Sequence, residues 1–96
     1  MNVTFTGRHI EVTDALRAYA TEKLERLCRH YDKITSIHVI FDIEKLIQRA
    51  EATIHVPHGG IIHAQADSQD MYNSIDDLFD KLERQVAKHR QKENGE

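Results

Sequence analysis

The spacing of apolar residues changes period along this chain, and those changes constrain its fold more than any other feature. Met1, Val3 and Phe5 alternate with Asn2, Thr4 and Thr6, the period-2 pattern of a half-buried strand, and Gly7 closes it. Thr13 then stands at an N-cap position with Asp14 in the first turn, and Leu16, Ala20, Leu24, Leu27 and Tyr31 recur at helical spacing. The pattern predicts a helix over about 13–31. From Thr35 the period returns to two, with Ile37, Val39, Phe41 and Ile43 opposite His38, Ile40, Asp42 and Glu44. A turn near Leu46-Ile47 leads into Ala50, Ala52, Ile54 and Val56, and Pro57-His58-Gly59-Gly60 marks a second turn. A last strand places Ile62, Ala64 and Ala66 inward. Ser68 or Asp70 then caps a long helix with Met71, Ile75, Leu78, Phe79, Leu82 and Val86 on one stripe.

The order β-α-β-β-β-α implies an α+β fold, a four-stranded mixed sheet with two helices packed on one face and water on the other. A right-handed crossover makes the first two strands parallel, and the hairpins make the rest antiparallel. Ninety-six residues support one core, so residues 1–92 are expected to form a single domain, with 93–96 as a frayed tail. The N-terminus lacks the basic region and apolar run of a secretory signal, and nothing approaches the roughly 18 apolar residues of a spanning helix. A cytoplasmic protein with no membrane partner is expected. The lone Cys28 fits a reducing compartment.

The net charge of −3 argues against general attraction to nucleic acid, so the distribution of charge has to decide. Lys81, Arg84, Lys88 and Lys92 follow i, i+3, i+7, i+11 spacing, a ridge about 16 Å long. Arg90 adds a fifth cation to residues 81–92, where Glu83 is the only acid. Lys23, Arg26 and His30, with Arg29 alongside, form a shorter ridge on the first helix. Helices side by side on one sheet would bring both ridges to a common outer surface. Ordinary solvated helices also carry pairs such as Glu22 with Arg26, Glu25 with Arg29 and Asp77 with Lys81. Pattern alone therefore permits RNA binding without requiring it.

His38, His55 and His63 share the outward phase of three strands, where neutral imidazoles can take up a transition metal adventitiously. No Cys joins them and no helical metal motif is present, so no functional metal or other cofactor is expected. Nor is an enzyme expected. Asp67, Ser68 and His63 are near in sequence, but strand neighbours point to opposite faces, and neither a nucleophile elbow nor a phosphate loop surrounds them. Cys28 continues the apolar register of Leu24 and Tyr31 and reads as a thiol flanking the core.

The strand closed by Gly7, then Val12-Thr13-Asp14-Ala15-Leu16, Lys23-Leu24-Glu25-Arg26-Leu27 and Ile62-His63-Ala64, resembles the ribosome hibernation promoting factor family in its short bacterial form. So do Gln69-Asp70-Met71-Tyr72, Ile75-Asp76-Asp77-Leu78 and Lys81-Leu82-Glu83-Arg84-Gln85. The likeness covers nearly the whole chain, and the Asp-Met-Tyr start of the last helix is its most specific part. It implies a factor that occupies the messenger and transfer RNA channel of the small (30S) subunit, contacts 16S rRNA and blocks translation. With the separate ribosome modulation factor, such a protein promotes pairing of 70S ribosomes into inactive 100S dimers in stationary phase. The chain's end at Glu96, without a further dimerisation domain or extended tail, fits that short class. Carried onto this sequence, the RNA-facing residues are Lys23, Arg26, Arg29, Lys81, Arg84, Lys88, Arg90 and Lys92, with Arg8 and His30 at the margin of the set. Asp42 and Glu44 should face away from RNA, and Arg49 has no assigned role.

Two other readings compete. A free double-stranded-RNA-binding module has a similar sheet and helix pair, but it offers lysines at the start of its last helix, where Asp70, Asp76 and Asp77 would here repel a duplex. A metal-binding or protein-interaction domain would instead use the histidine face.

Overall fold

The computed structural model describes residues 1–94. Its elements follow the order β-α-β-β-β-α: β1 Asn2–Arg8, α1 Asp14–His30, β2 Ser36–Glu44, β3 Ile47–Val56, β4 Gly60–Ser68 and α2 Met71–Asn94. The helix thus continues into the segment expected as a tail, and residues 95 and 96 lie outside the described residues. The sheet order is β1-β2-β3-β4. As expected, β1 runs parallel to β2, and the two hairpins are antiparallel.

Local chemistry sets the boundaries. The Thr13 side chain accepts the Leu16 N–H at 3.1 Å, which caps α1. Of the two candidates for the second cap, Asp70 serves: its carboxylate accepts the Tyr72 N–H at 3.0 Å. Ser68 acts one step behind it. The Asp70 N–H donates to Ser68 Oγ, which lies 2.6 Å from Ser74 Oγ, and Ser74 donates to the Gln48 carbonyl at 2.6 Å. Ser74 is fully buried, so this chain of hydroxyls fastens the first turn of α2 to β3. Gly7 is needed for a different reason. A Cβ there would lie 2.2 Å from the Ile10 carbonyl oxygen, where the chain folds back from β1 towards α1.

The register puts small residues under the second helix. Val39, Ala52 and Ala64 form one row across three strands, and Phe41, Ala50 and Ala66 form the next. All four alanines are buried, and this low floor lets Ile75, Leu78, Phe79 and Leu82 pack down onto β3 and β4. Leu16, Ala20, Leu24 and Leu27 complete the core beneath α1. Coverage thins at the β1 edge, where Val3 is 38% exposed and Phe5 is half-buried. Among the described residues no helix is long and apolar enough to cross a membrane.

Candidate nucleic-acid interface

The two helices carry the basic residues, but the structure separates them into different surfaces. Lys23, Arg26 and His30 line one wall of a groove of about 410 Å³ whose other wall is Asp76, Phe79, Asp80 and Glu83 of α2. Lys23 Nζ lies 3.2 Å from Asp76 Oδ1 and 5.2 Å from the centre of the Tyr19 ring. The Tyr19 hydroxyl donates to the same carboxylate oxygen at 2.6 Å, and its ring meets Tyr72 edge-on at 5.0 Å. His30 Nδ1 sits 2.8 Å from Glu83 Oε2, and the Arg90 guanidinium donates to the His30 carbonyl.

Three bases therefore face three acids across this groove, and its chemistry is that of a compensated pair of walls. The hydroxyl of Tyr19 and then the ammonium of Lys23 hold the Asp76 carboxyl below its usual range, although burial pushes the other way. The same hydrogen bond pushes the Tyr19 phenol up.

The ridge of α2 lies elsewhere. Residues 76, 83 and 90 face α1, so 81, 88 and 92 emerge on the far side of the helix, towards β4. Lys81 Nζ donates to the Gln65 carbonyl at 2.7 Å. Arg84 and Lys81 share a shallow depression over Ala66 with Asp67, Asp77 and Asp80, and Lys88 and Lys92 stand by Ile62, Gln85 and His89. Among the described residues, no carboxylate oxygen lies within 4.0 Å of the charged nitrogens of Arg26, Arg84, Lys88 or Lys92. The expectation of one common outer surface is thus corrected: Lys23, Arg26 and His30 face the groove between the helices, whereas Lys81 and Arg84 lie among acids on the β4 side of α2 and Lys88 and Lys92 lie further along it. Arg29 is also displaced, since it lies on the β1 side of α1 beside Met1, Val3 and Cys28. Arg8 ends β1 and lines neither surface.

The sheet histidines do not converge. His38 Nε2 is 3.1 Å from Thr6 Oγ1, His63 Nε2 is 2.8 Å from Glu51 Oε2, and His55 stands exposed opposite Ser36. No group of three or more His, Cys, Asp or Glu placed to hold a metal occurs among the described residues. Asp67, Ser68 and His63 are likewise occupied separately, Asp67 by a two-pronged contact with Arg49 at 2.7 and 3.1 Å. That contact assigns Arg49 to a cross-strand pair and lowers the Asp67 pKa, chiefly through the hydrogen bond. Cys28 Sγ lies 3.6 Å from Met1 Sδ, and burial raises its pKa. Asp42 meets His9 at 3.2 Å on the sheet face opposite the helices.

Sequence reasoning did not find the Tyr19, Lys23, Tyr72 and Asp76 cluster. A tyrosine four residues before a lysine is its only local signal.

Residues 3–94 match the family described as Sigma 54 modulation protein / S30EA ribosomal protein. The chain is 50% identical over 95 residues to a ribosome hibernation promoting factor of Pseudomonas putida, covering 99% of this chain and 92% of that one. It is 52% identical over 93 residues to a factor of the same name from Azotobacter vinelandii, covering 97% of this chain and 86% of the relative. Among solved structures, a ribosomal subunit interface protein from Coxiella burnetii superposes with a TM-score of 0.87 at 41% identity, covering 94% of this chain and 98% of that one.

Proposed function

The chain belongs to the Sigma 54 modulation protein / S30EA ribosomal protein family, and from that membership we propose that it is a ribosome hibernation factor acting on the small subunit. In this reading it occupies the messenger and transfer RNA channel of the 30S subunit, contacts 16S rRNA with its helix layer, and blocks translation by filling space. It promotes 100S dimers in stationary phase together with ribosome modulation factor, and it works in the cytoplasm. No chemistry of its own is required.

The basic ridge of α2, densest in cations towards its C-terminal end, carries the proposal. In a chain of net charge −3, Arg84, Lys88 and Lys92 stand exposed without a carboxylate within 4.0 Å among the described residues. Lys81 is fixed beside them by the Gln65 carbonyl. A row of cations along one helix suits successive phosphates, whereas the acidic remainder of the chain lowers non-specific attraction. Lys23, Arg26 and Arg90 would add contacts across the crest, with His30 at their margin. Arg29 faces the other way and is left out of the set.

Co-sedimentation separates this reading from its rivals. The purified protein should pellet with 30S and 70S particles and not with 50S particles, and cells lacking its gene should lose the 100S peak in stationary phase. Equal pelleting with 50S particles would refute the small-subunit assignment.

A further inference from the structure

The packing of α2 on the domain stops before the helix does. Val86 is its last buried residue among those described; Ala87, Lys88, Arg90, Gln91 and Lys92 are exposed, and His89 is half-buried. So short a run without a buried side chain does not stay helical in water on its own hydrogen bonds. Contacts with the end of α1 tie this arm to the domain. The Arg90 guanidinium donates to the His30 carbonyl, and the His89 ring meets Tyr31 edge-on at 5.7 Å.

The acceptor is a helix end. His30 is the last residue of α1, so no further turn of that helix uses its carbonyl, which lies at the negative end of the helix dipole, where a cation is favoured. The same residue reaches α2 a second time, since His30 Nδ1 sits 2.8 Å from Glu83 Oε2. Glu83 and Arg90 are two turns apart and share the stripe that faces α1. Lys88 and Lys92 project from the same arm on its other side, by Ile62 and Gln85. Among the described residues neither has a carboxylate oxygen within 4.0 Å.

We propose that Arg90 is a positioning residue for RNA binding. By latching onto the end of α1 it keeps residues 87–92 helical and in line with the rest of α2, and so holds Lys88 and Lys92 about 6 Å apart along one ridge. Without the latch the arm frays, and the two lysines lose their fixed spacing. RNA would then have to order the arm as it binds, at a cost in affinity. The contribution of Arg90 thus exceeds the one phosphate contact that its own charge could make. The RNA half of the proposal rests on the small-subunit reading, whereas the latch stands without it.

Three variants of the full chain separate latch from charge. Arg90→Gln removes a cation and ends short of the His30 carbonyl, Arg90→Lys keeps a cation and a long donor, and Lys92→Gln removes a cation from the ridge alone. In the free protein, amide hydrogen exchange of residues 87–92, read by NMR, should quicken by about 2- to 10-fold in Arg90→Gln, as for loss of one hydrogen bond. It should stay near the wild-type rate in the other two, and residues 71–86 should be unchanged in all three. In titrations with 30S subunits, Lys92→Gln should lower the log-log salt slope by roughly 0.7–0.9, the share of one phosphate. Arg90→Gln should lower it by more, and Arg90→Lys should restore it. With Lys88 and Lys92 both changed to glutamine, Arg90→Gln should cost no more than a single contact. Unchanged exchange in Arg90→Gln would overturn the latch. Quickened exchange with a slope no lower than that of Lys92→Gln would overturn the positioning role. A wild type that does not bind 30S subunits would instead refute the small-subunit reading and the RNA half with it, while the exchange rates still decide the latch.

Discussion

Asp76 holds Lys23 out of use, and neutralising it should strengthen binding to the small subunit. In Asp76→Asn the ion pair at 3.2 Å disappears, whereas the amide oxygen still accepts from the Tyr19 hydroxyl and keeps the two helices tied. The pair is partly open to water, with side-chain exposures of 19% and 42%, so it belongs with surface pairs worth about 0.2–1 kcal/mol. If a phosphate must take Lys23 away from Asp76, removing that competition raises affinity by roughly 1.4- to 5-fold. Fluorescence anisotropy of labelled protein titrated with 30S subunits measures this, at two salt concentrations. The gain should shrink at the higher one. In a Lys23→Gln background, Asp76→Asn should give no comparable gain, which ties the effect to this pair and separates it from a general loss of negative charge. Unchanged or weaker binding by Asp76→Asn, with an unchanged melting temperature, would show that Lys23 does not contact phosphate.

Three further outcomes concern the fold. Ser74→Ala leaves the Gln48 carbonyl without its buried donor and should cost about 1–3 kcal/mol in urea unfolding. Lys45 adopts a positive φ of 57° in the turn between β2 and β3, so Lys45→Gly should stabilise by about 0.5–1 kcal/mol, read as a rise in Tm of roughly 2–8 °C. The Asp76 carboxyl titrates below its unfolded value of about 3.9, so its contribution is present above that pH and is lost as pH falls through the lowered folded value. The stability gap between the wild type and Asp76→Asn should therefore be constant near neutrality and close in acid. A gap that persists after the carboxyl is fully protonated would exclude this origin.

The element order and the core were legible because each depends on a local period. Val39 and Phe41 had to share a face, and Leu78 and Leu82 had to share a stripe, whatever the rest of the chain did. Capping was nearly as readable, since Thr13 needs only its own helix. Placement of the charges was not. The contact of Lys23 with Asp76 depends on how far each helix rolls on the sheet, and no spacing within either helix encodes that roll. Arg29 belongs by spacing with Arg26 and His30, but the packing of Leu24 and Leu27 turns it towards β1. Arg49 found Asp67 only through the register of a hairpin, where a one-residue slip would have sent it to the other face. Lys81, read as a ridge cation and as the partner of Asp77 by spacing, spends a donor on the edge of β4.

The central claim is that the ridge of α2 meets ribosomal RNA, and charge reversal of Lys81, Arg84 and Lys88 together tests it most directly. The readout is affinity for 30S subunits across a salt series, with melting temperature and circular dichroism confirming the fold. The wild type should lose affinity with salt, and the triple variant should bind far more weakly. Its log-log slope should be reduced by roughly 0.7–0.9 for each phosphate that the variant no longer neutralises. Equal affinity and equal slope in a folded triple variant would contradict the account.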